Sequence, residues 1–394
     1  MLNPVIVPLA TTLAVQALVS MAAVAMPVLA PVAAPDIGIS AAYVGIFVAL
    51  VYAGAMLSSV LSGGFVARFG PIRVSQACLV LCAAGLALTA SGSLPLVAIG
   101  AVIIGTGYGP VTPASSHILS RSTPPHLRAF TFSLKQTGVP LGAAIAGGLL
   151  PALVLASGWQ QAALAVAGFS VLLAFLAQPV RAGLDHDREA AVSISIQSVT
   201  RPLAMVLSHP RLRELAVVSF IFAAMQLCLM SFLVSYLTHD LNVTLVTAGF
   251  ALSVANVAGI ACRILWGIVA DRWIRPRTLL GLLGLIMAAA CAATAAFSTA
   301  WPPAAILAVC AVFGGTAIGW NGIYLAEVAR LAPAGQAATA TGGTLFFTFF
   351  GVLFGPPLFG AMLAVSQSYG MAYAALSVTP FVCGLALLLS HRPS

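Results

Sequence analysis

Twelve apolar runs, each close to the length of a bilayer-crossing helix, divide this 394-residue chain. A helix rising about 1.5 Å per residue needs about 20 apolar residues to cross a hydrocarbon layer about 30 Å thick. The runs lie roughly at 5–29, 42–66, 72–90, 96–119, 130–155 and 159–176, then at 215–237, 244–270, 278–297, 303–328, 338–363 and 372–389. Charged residues make up only 6% of the chain, whereas a soluble domain carries about 25%. The expectation is an all-α membrane protein with about twelve transmembrane helices. Proline and glycine inside the runs do not count against this, because membrane helices tolerate both.

The net charge of +8 would suggest a nucleic-acid partner in a soluble protein. Its placement excludes that reading. Arg68 and Arg73 follow the second run, Arg121 and Arg128 the fourth, and Arg181, Arg188, Arg201, Arg211 and Arg213 the sixth. Arg272, Arg275 and Arg277 follow the eighth, Arg330 the tenth and Arg392 the twelfth. After the odd-numbered runs the loops hold only Asp36, His239 and Asp240 as charged or titratable groups. By the positive-inside rule both termini are expected in the cytoplasm, in a bacterial inner (plasma) membrane. Pro27 to Ala30 and Ala33-Ala34 loosely resemble a signal-peptide cleavage region, but no basic residue precedes the first run, which is expected to stay as a span. The seven cysteines all fall in the runs without metal-ligand spacing, so they read as small buried residues; no metal and no cofactor is expected.

The polar stretch 181–213 divides the runs six and six. The expected organisation is therefore an N-terminal half (1–180), a cytoplasmic central loop (181–213) in which a short amphipathic helix is conceivable, and a C-terminal half (214–394). The halves resemble each other. Gly63-Gly-Phe-Val-Ala67-Arg68-Phe69 aligns with Gly267-Ile-Val-Ala-Asp271-Arg272-Trp273, and Arg121 aligns with Arg330. Gly138, Gly142 and Gly147 align with Gly351, Gly355 and Gly360. Six spans repeated in the same orientation are the parallel duplication of one large transporter class.

On these motifs the chain resembles the major facilitator superfamily over essentially its whole length. The loop pattern Gly-x-x-x-Asp-Arg is met by Gly267, Asp271 and Arg272, with Arg275 and Arg277 nearby, and Glu327-x-x-Arg330 matches the acidic-basic pair that accompanies it. The first-half copy departs from the pattern, with Ala67 and Ile118 where acids are usual. The resemblance implies that Asp271, Arg272, Glu327 and Arg330, with Arg68 and Arg121 in the first half, form a charge cluster that breaks and reforms during transport. Capping of helix ends is the plainer role for the same residues. The resemblance also implies a monomer with one central cavity opening alternately to either side.

Two cations lie inside apolar runs. Lys135 is the one lysine in the chain, and Arg263 is the one arginine so placed. A cation in mid-membrane costs roughly 2.5–3.5 kcal/mol on insertion scales, which makes it a functional candidate by default. At 1.5 Å per residue Lys135 lies about 10 Å in from Arg128 and Arg263 about 12 Å in from Asp271. Lys135, Gly138 and Gly142 share one helical stripe; Asn256, Gly259, Arg263 and Gly267 share another. The resemblance places their spans, the fifth and eighth, side by side. Arg263-x-x-x-Gly267-x-x-Ala270 resembles the monocarboxylate and oxalate porters, in which the matching arginine binds substrate carboxylate; Gly259 stands where eukaryotic members carry an acid.

A forked guanidinium and a point-charge ammonium suit a carboxylate in low dielectric. Substrate anion binding by Lys135 and Arg263 is therefore the leading expectation, with pairing to a buried acid as the alternative. Secondary candidates are Gln136, which faces elsewhere on its helix by simple spacing, Trp320, Asn321, Tyr324, Tyr108, His117 and Gln16. Phe346, Phe350 and Phe354 recur every four residues and would suit an apolar substrate body or a packed face. His117 or Glu327 are the candidates for proton coupling; exchange against a counter-anion needs neither. No phosphate-binding Gly-x-x-x-x-Gly-Lys-Ser/Thr loop is present, so ATP is not expected to drive transport. The rival readings are an efflux porter for lipophilic drugs and a membrane receptor that moves nothing. None of the three is an enzyme.

Overall fold

The computed structural model describes residues 5–39, 44–189 and 197–389, and among them every regular element is helical. Among the described residues twelve helices are long and apolar enough to cross a membrane. They are span 1 (Ile6–Ile37), span 2 (Val44–Phe69), span 3 (Pro71–Thr89), span 4 (Leu94–Ser122), span 5 (Pro125–Ser157) and span 6 (Trp159–Leu176). Then come span 7 (Pro210–His239), span 8 (Thr247–Arg272), span 9 (Pro276–Ala295), span 10 (Pro303–Leu331), span 11 (Ala337–Ser366) and span 12 (Tyr369–Leu389). The protein is a multi-pass integral membrane protein, as the apolar runs predict. Lipid offers no hydrogen bonds to an open backbone, so these segments can satisfy their amides only as helices. Prolines open spans 3, 9 and 10 in the first helical turn, where the missing N–H is not needed.

Packing groups the chain into two compact units, and each trades a segment against the sequence repeat. The first unit comprises Met1–Pro124, Lys135–Arg213 and Val328–Phe346; the second comprises Pro125–Leu134, Glu214–Glu327 and Phe347–Ser394. In the first unit span 1 packs on spans 5 and 6, span 2 on span 4, and span 3 on spans 4 and 6. In the second, span 8 packs on span 10 and span 9 on spans 10 and 12. The helix Gln197–Ser208 of the central loop lies against span 2, with Val206 buried.

Glycines mark the repeat in three dimensions. A β-carbon on Gly105 would collide with the Val51 carbonyl, joining spans 4 and 2; one on Gly314 would collide with the Ala255 carbonyl, joining spans 10 and 8. Gly142 meets Ala17 and Met21 of span 1, and Gly351 and Gly355 meet Phe220 and Ala224 of span 7. Without a hydrophobic force between helices in lipid, such close backbone approach is what holds membrane helices together. Gly147 and Gly360 make no comparable contact.

Candidate functional site

Spans 4 and 10 are both interrupted at matching places. Span 4 is helical over Leu94–Tyr108 and again over Val111–Ser122, with Gly109-Pro110 between. Span 10 is helical over Pro303–Ala317 and again over Asn321–Leu331, with Ile318-Gly319-Trp320 between. Pro110 lacks the N–H that would continue the first helix. A broken helix in a membrane frees backbone and side-chain polar groups, and transporters place such breaks at their binding sites.

Each buried cation meets one of these breaks. In the first unit Lys135 is 1% exposed. Its Nζ donates to Gln16 Oε1 at 2.7 Å, to Gln136 Oε1 at 3.0 Å and to Thr112 Oγ1 at 3.3 Å, two residues past the break in span 4. Thr112 itself donates to Gln16 Oε1 at 3.1 Å, and Gln16 Nε2 donates to Ser20 Oγ at 3.3 Å. These side chains form a connected network around the ammonium. Gly138 and Gly142 bring the lysine's helix against Gln16 and Ala17, so the predicted small-residue stripe is the contact that builds this network.

In the second unit Arg263 is 2% exposed and its Nη2 donates to the Ile318 carbonyl at 2.7 Å, on the break in span 10. Trp266 Nε1, one turn on, donates to the Gly315 carbonyl at 2.8 Å. Gly259 packs on Ile318, and Gly267 packs on Phe130 and Ser133 at the start of span 5. Asn256 is half-buried and donates to the Leu252 carbonyl of its own helix at 2.9 Å.

The remaining candidates separate by depth and partner. Gln136 belongs to the lysine network; simple spacing placed it elsewhere, but its side-chain amide oxygen accepts from the neighbouring Lys135 Nζ. Trp320 and Tyr324 are fully buried and meet edge-to-face, with Trp320 also against Phe222. Asn321 Nδ2 reaches Gln226 Oε1 at 3.4 Å. Tyr108 stands edge-to-face with Tyr52. Phe350 and Phe354 form an aromatic ladder with Phe220 and are each nearly half exposed. Thr112 and Gln226 were missed; each is a polar residue in a run, and Thr112 between two prolines was the more legible signal.

At the arginine-rich ends the acids work on helix termini and on basic partners. Asp271 accepts from the Ala129 and Phe130 amides at 3.0 and 2.7 Å, capping the helix that leads to Lys135. Arg272 and Arg330 are exposed, and Glu327 is buried. Arg277 forms a two-pronged pair with Glu214, at 2.8 and 3.1 Å. Arg68 lies over the Phe69 ring. His117 and Arg121 both hold Asp187. Asp271→Ala removes two bonds to first-turn helix amides and a charge at a helix N-terminus, worth about 1–2 kcal/mol. Amide exchange at Ala129 and Phe130 should therefore quicken about 5–30-fold, as hydrogen–deuterium exchange will read.

Comparison with known proteins agrees with this architecture. The Major Facilitator Superfamily profile matches residues 11–356. Two rice proteins (Oryza sativa subsp. japonica), probable anion transporters 6 and 7, are each 26% identical, over 280 and 292 residues. In both cases the match takes in 66% of this chain and 65% of the relative, so the chain spans just under two thirds of their length. The E. coli fucose:proton symporter superposes with a TM-score of 0.78 at 16% identity, over 99% of this chain and 100% of that one. The human organic anion transporter MFSD10 gives 0.76 at 16%, over 96% and 99%. With a profile covering most of its length and twelve spans in the matching fold, the chain belongs to the Major Facilitator Superfamily, a family of membrane transporters rather than enzymes.

Proposed function

We propose that this protein carries a small organic anion, a carboxylate in the first instance, across a bacterial inner membrane by alternating access. In this reading Lys135 and Arg263 are the cations that bind it. The observation that carries this reading is the setting of Lys135: a membrane-embedded ammonium, 1% exposed, cradled by the neutral oxygens of Gln16, Gln136 and Thr112. Low dielectric strengthens the pull of such an ammonium on an incoming anion. Arg263 supports the reading by presenting a guanidinium at the equivalent break. The relatives named as anion transporters support the same class of cargo. The arginine pattern of the loops supports cytoplasmic termini, and Asp271 supports a gate whose capping contacts break and reform in the cycle.

The test is a thermal-shift scan of the purified protein against carboxylates, other small anions and lipophilic cations. A ligand at about 100 times its Kd adds about 2.7 kcal/mol of stability. A carboxylate should stabilise the protein, and the shift should vanish in Lys135→Ala and Arg263→Ala variants that still unfold cooperatively. Stabilisation by lipophilic cations alone would sink the anion reading and favour a drug porter. A carboxylate shift undiminished in both variants would remove these residues from the site.

A further inference from the structure

The first repeat lacks both of its expected acids: Ala67 and Ile118 stand at the positions equivalent to Asp271 and Glu327. The structure fills the gap from elsewhere in the chain. After span 6 the segment 181–189 folds back across the arginine-rich end of the first unit. Asp185 is buried and accepts from the Ile72 and Arg73 amides at 2.7 and 3.1 Å, capping span 3 as Asp271 caps span 5. Gly70 makes room for it: its φ is +90°, and a β-carbon there would collide with the Asp185 carboxyl. Arg181 Nε donates to the same carboxylate at 3.3 Å. Two residues on, Asp187 Oδ2 is held by His117 Nε2 at 2.6 Å and by Arg121. The Glu189 amide then donates to the Ala67 carbonyl at 2.8 Å, at the vacant acid position itself. Beneath the segment Leu184 packs with Ile72, Ile118, Ala177 and Val180.

We propose that residues 181–189 form a proton-sensitive latch, in which Asp185 and Asp187 replace the missing acids of the first repeat and His117 sets how firmly the latch holds. The segment ties spans 2, 3 and 4 together from outside, so its release frees the arginine-rich end of the first unit. Histidine is the one side chain whose ordinary pKa lies between about 5 and 8. The imidazolium gives Asp187 a charge-assisted bond; the neutral ring gives it an ordinary one, weaker by about half.

The groups facing the pair set the sign. Burial pushes the Asp187 carboxyl up, but the His117 bond, the His117 charge and the Arg121 charge together outweigh it and leave the carboxyl below its ordinary range. Its contribution is therefore present above the ordinary carboxylate pKa and is lost only in strong acid. A protonated His117 adds a charge-assisted bond to Asp187 that a neutral ring does not. His186 works the other way: its Nε2 faces Arg121 Nη2 at 2.9 Å, an arrangement that needs a neutral ring, while its Nδ1 meets the Gly183 carbonyl. Arg73, Arg188 and Glu189 are exposed at the margin, and Arg68 is half-buried. The latch should hold most firmly in mildly acidic conditions and loosen toward alkaline pH.

Hydrogen–deuterium exchange of the full-length protein in lipid nanodiscs, corrected for intrinsic rates, tests this without any cargo. The Ile72, Arg73 and Glu189 amides should exchange about five- to tenfold faster at about pH 8.5 than at about pH 6. His117→Gln, which keeps a donor but cannot titrate, should flatten that dependence. Asp185→Asn should speed exchange of the Ile72 and Arg73 amides at both pH values. A pH dependence in His117→Gln equal to that of the unaltered protein, its absence in the unaltered protein, or its loss only in His186→Gln would overturn the proposal.

Discussion

If the proposed cargo is right, Lys135→Met should yield a folded transporter that no longer binds a carboxylate. Methionine matches the lysine stem in length and removes the charge. Losing a mid-membrane charge relieves roughly 2.5–3.5 kcal/mol of insertion cost. Against that gain, Gln136 Oε1 and Gln16 Oε1 each lose the Lys135 donor, at up to about 1–3 kcal/mol in all for buried acceptors, since Gln16 Oε1 keeps Thr112. The two terms nearly offset, so the unfolding temperature should move little. Binding has no such offset, because truncating one partner of a buried charge pair costs about 2–5 kcal/mol. Anion affinity, read by calorimetry or counterflow in liposomes, should fall at least about 30-fold. Arg263→Gln should do the same for the second cation. Lys135→Arg should not rescue, since a planar fork does not fit three acceptors placed around a point charge. Near-normal affinity in Lys135→Met would mean that the ammonium serves only to tie spans 1, 4 and 5 together.

The largest losses of stability should come from filling the helix crossings. Gly105→Val and Gly314→Val each force a branched side chain into the backbone carbonyl of the neighbouring span, Val51 in one case and Ala255 in the other. Overpacking a tight site costs typically 1–3 kcal/mol, and backbone at the contact leaves no side chain to swing aside. Thermal unfolding in detergent should drop by several degrees for either variant. Gly147→Val, placed where nothing lies within contact, should be nearly silent. Similar losses from Gly105→Val and Gly314→Val would also tie the duplication to energetics, beyond its visibility in shape.

Much of this was legible in the sequence because lipid simplifies the code. With no water to satisfy a backbone, length and apolarity suffice to define spans, and the arginines mark one end of each pair. The glycine stripe at Gly138 and Gly142 was readable for the same reason, since small residues at helical spacing imply close approach. Side-chain networks were less so. Gln136 was assigned away from Lys135 because a regular helix separates adjacent residues by about 100°, a gap that two long side chains bridge here. Thr112, between two prolines, was legible as a polar residue in an apolar run, but its spacing from Lys135 says nothing of their contact across spans 4 and 5. The folding back of Asp185 and Asp187 onto spans 3 and 4 was hidden more deeply. A loop acid reads as solvated until something brings it to Gly70 and His117.

The burial of Lys135 also makes it a natural chemical reporter. As the one lysine of the chain, it offers amine-reactive reagents a single side-chain target, and at 1% exposure that target is shielded. Acylation by a small membrane-permeant ester therefore measures how often the lysine's pocket opens, without any engineered cysteine or dye. Bound anion should slow the modification, and peptide mass spectrometry would read both the site and the rate from the unaltered protein.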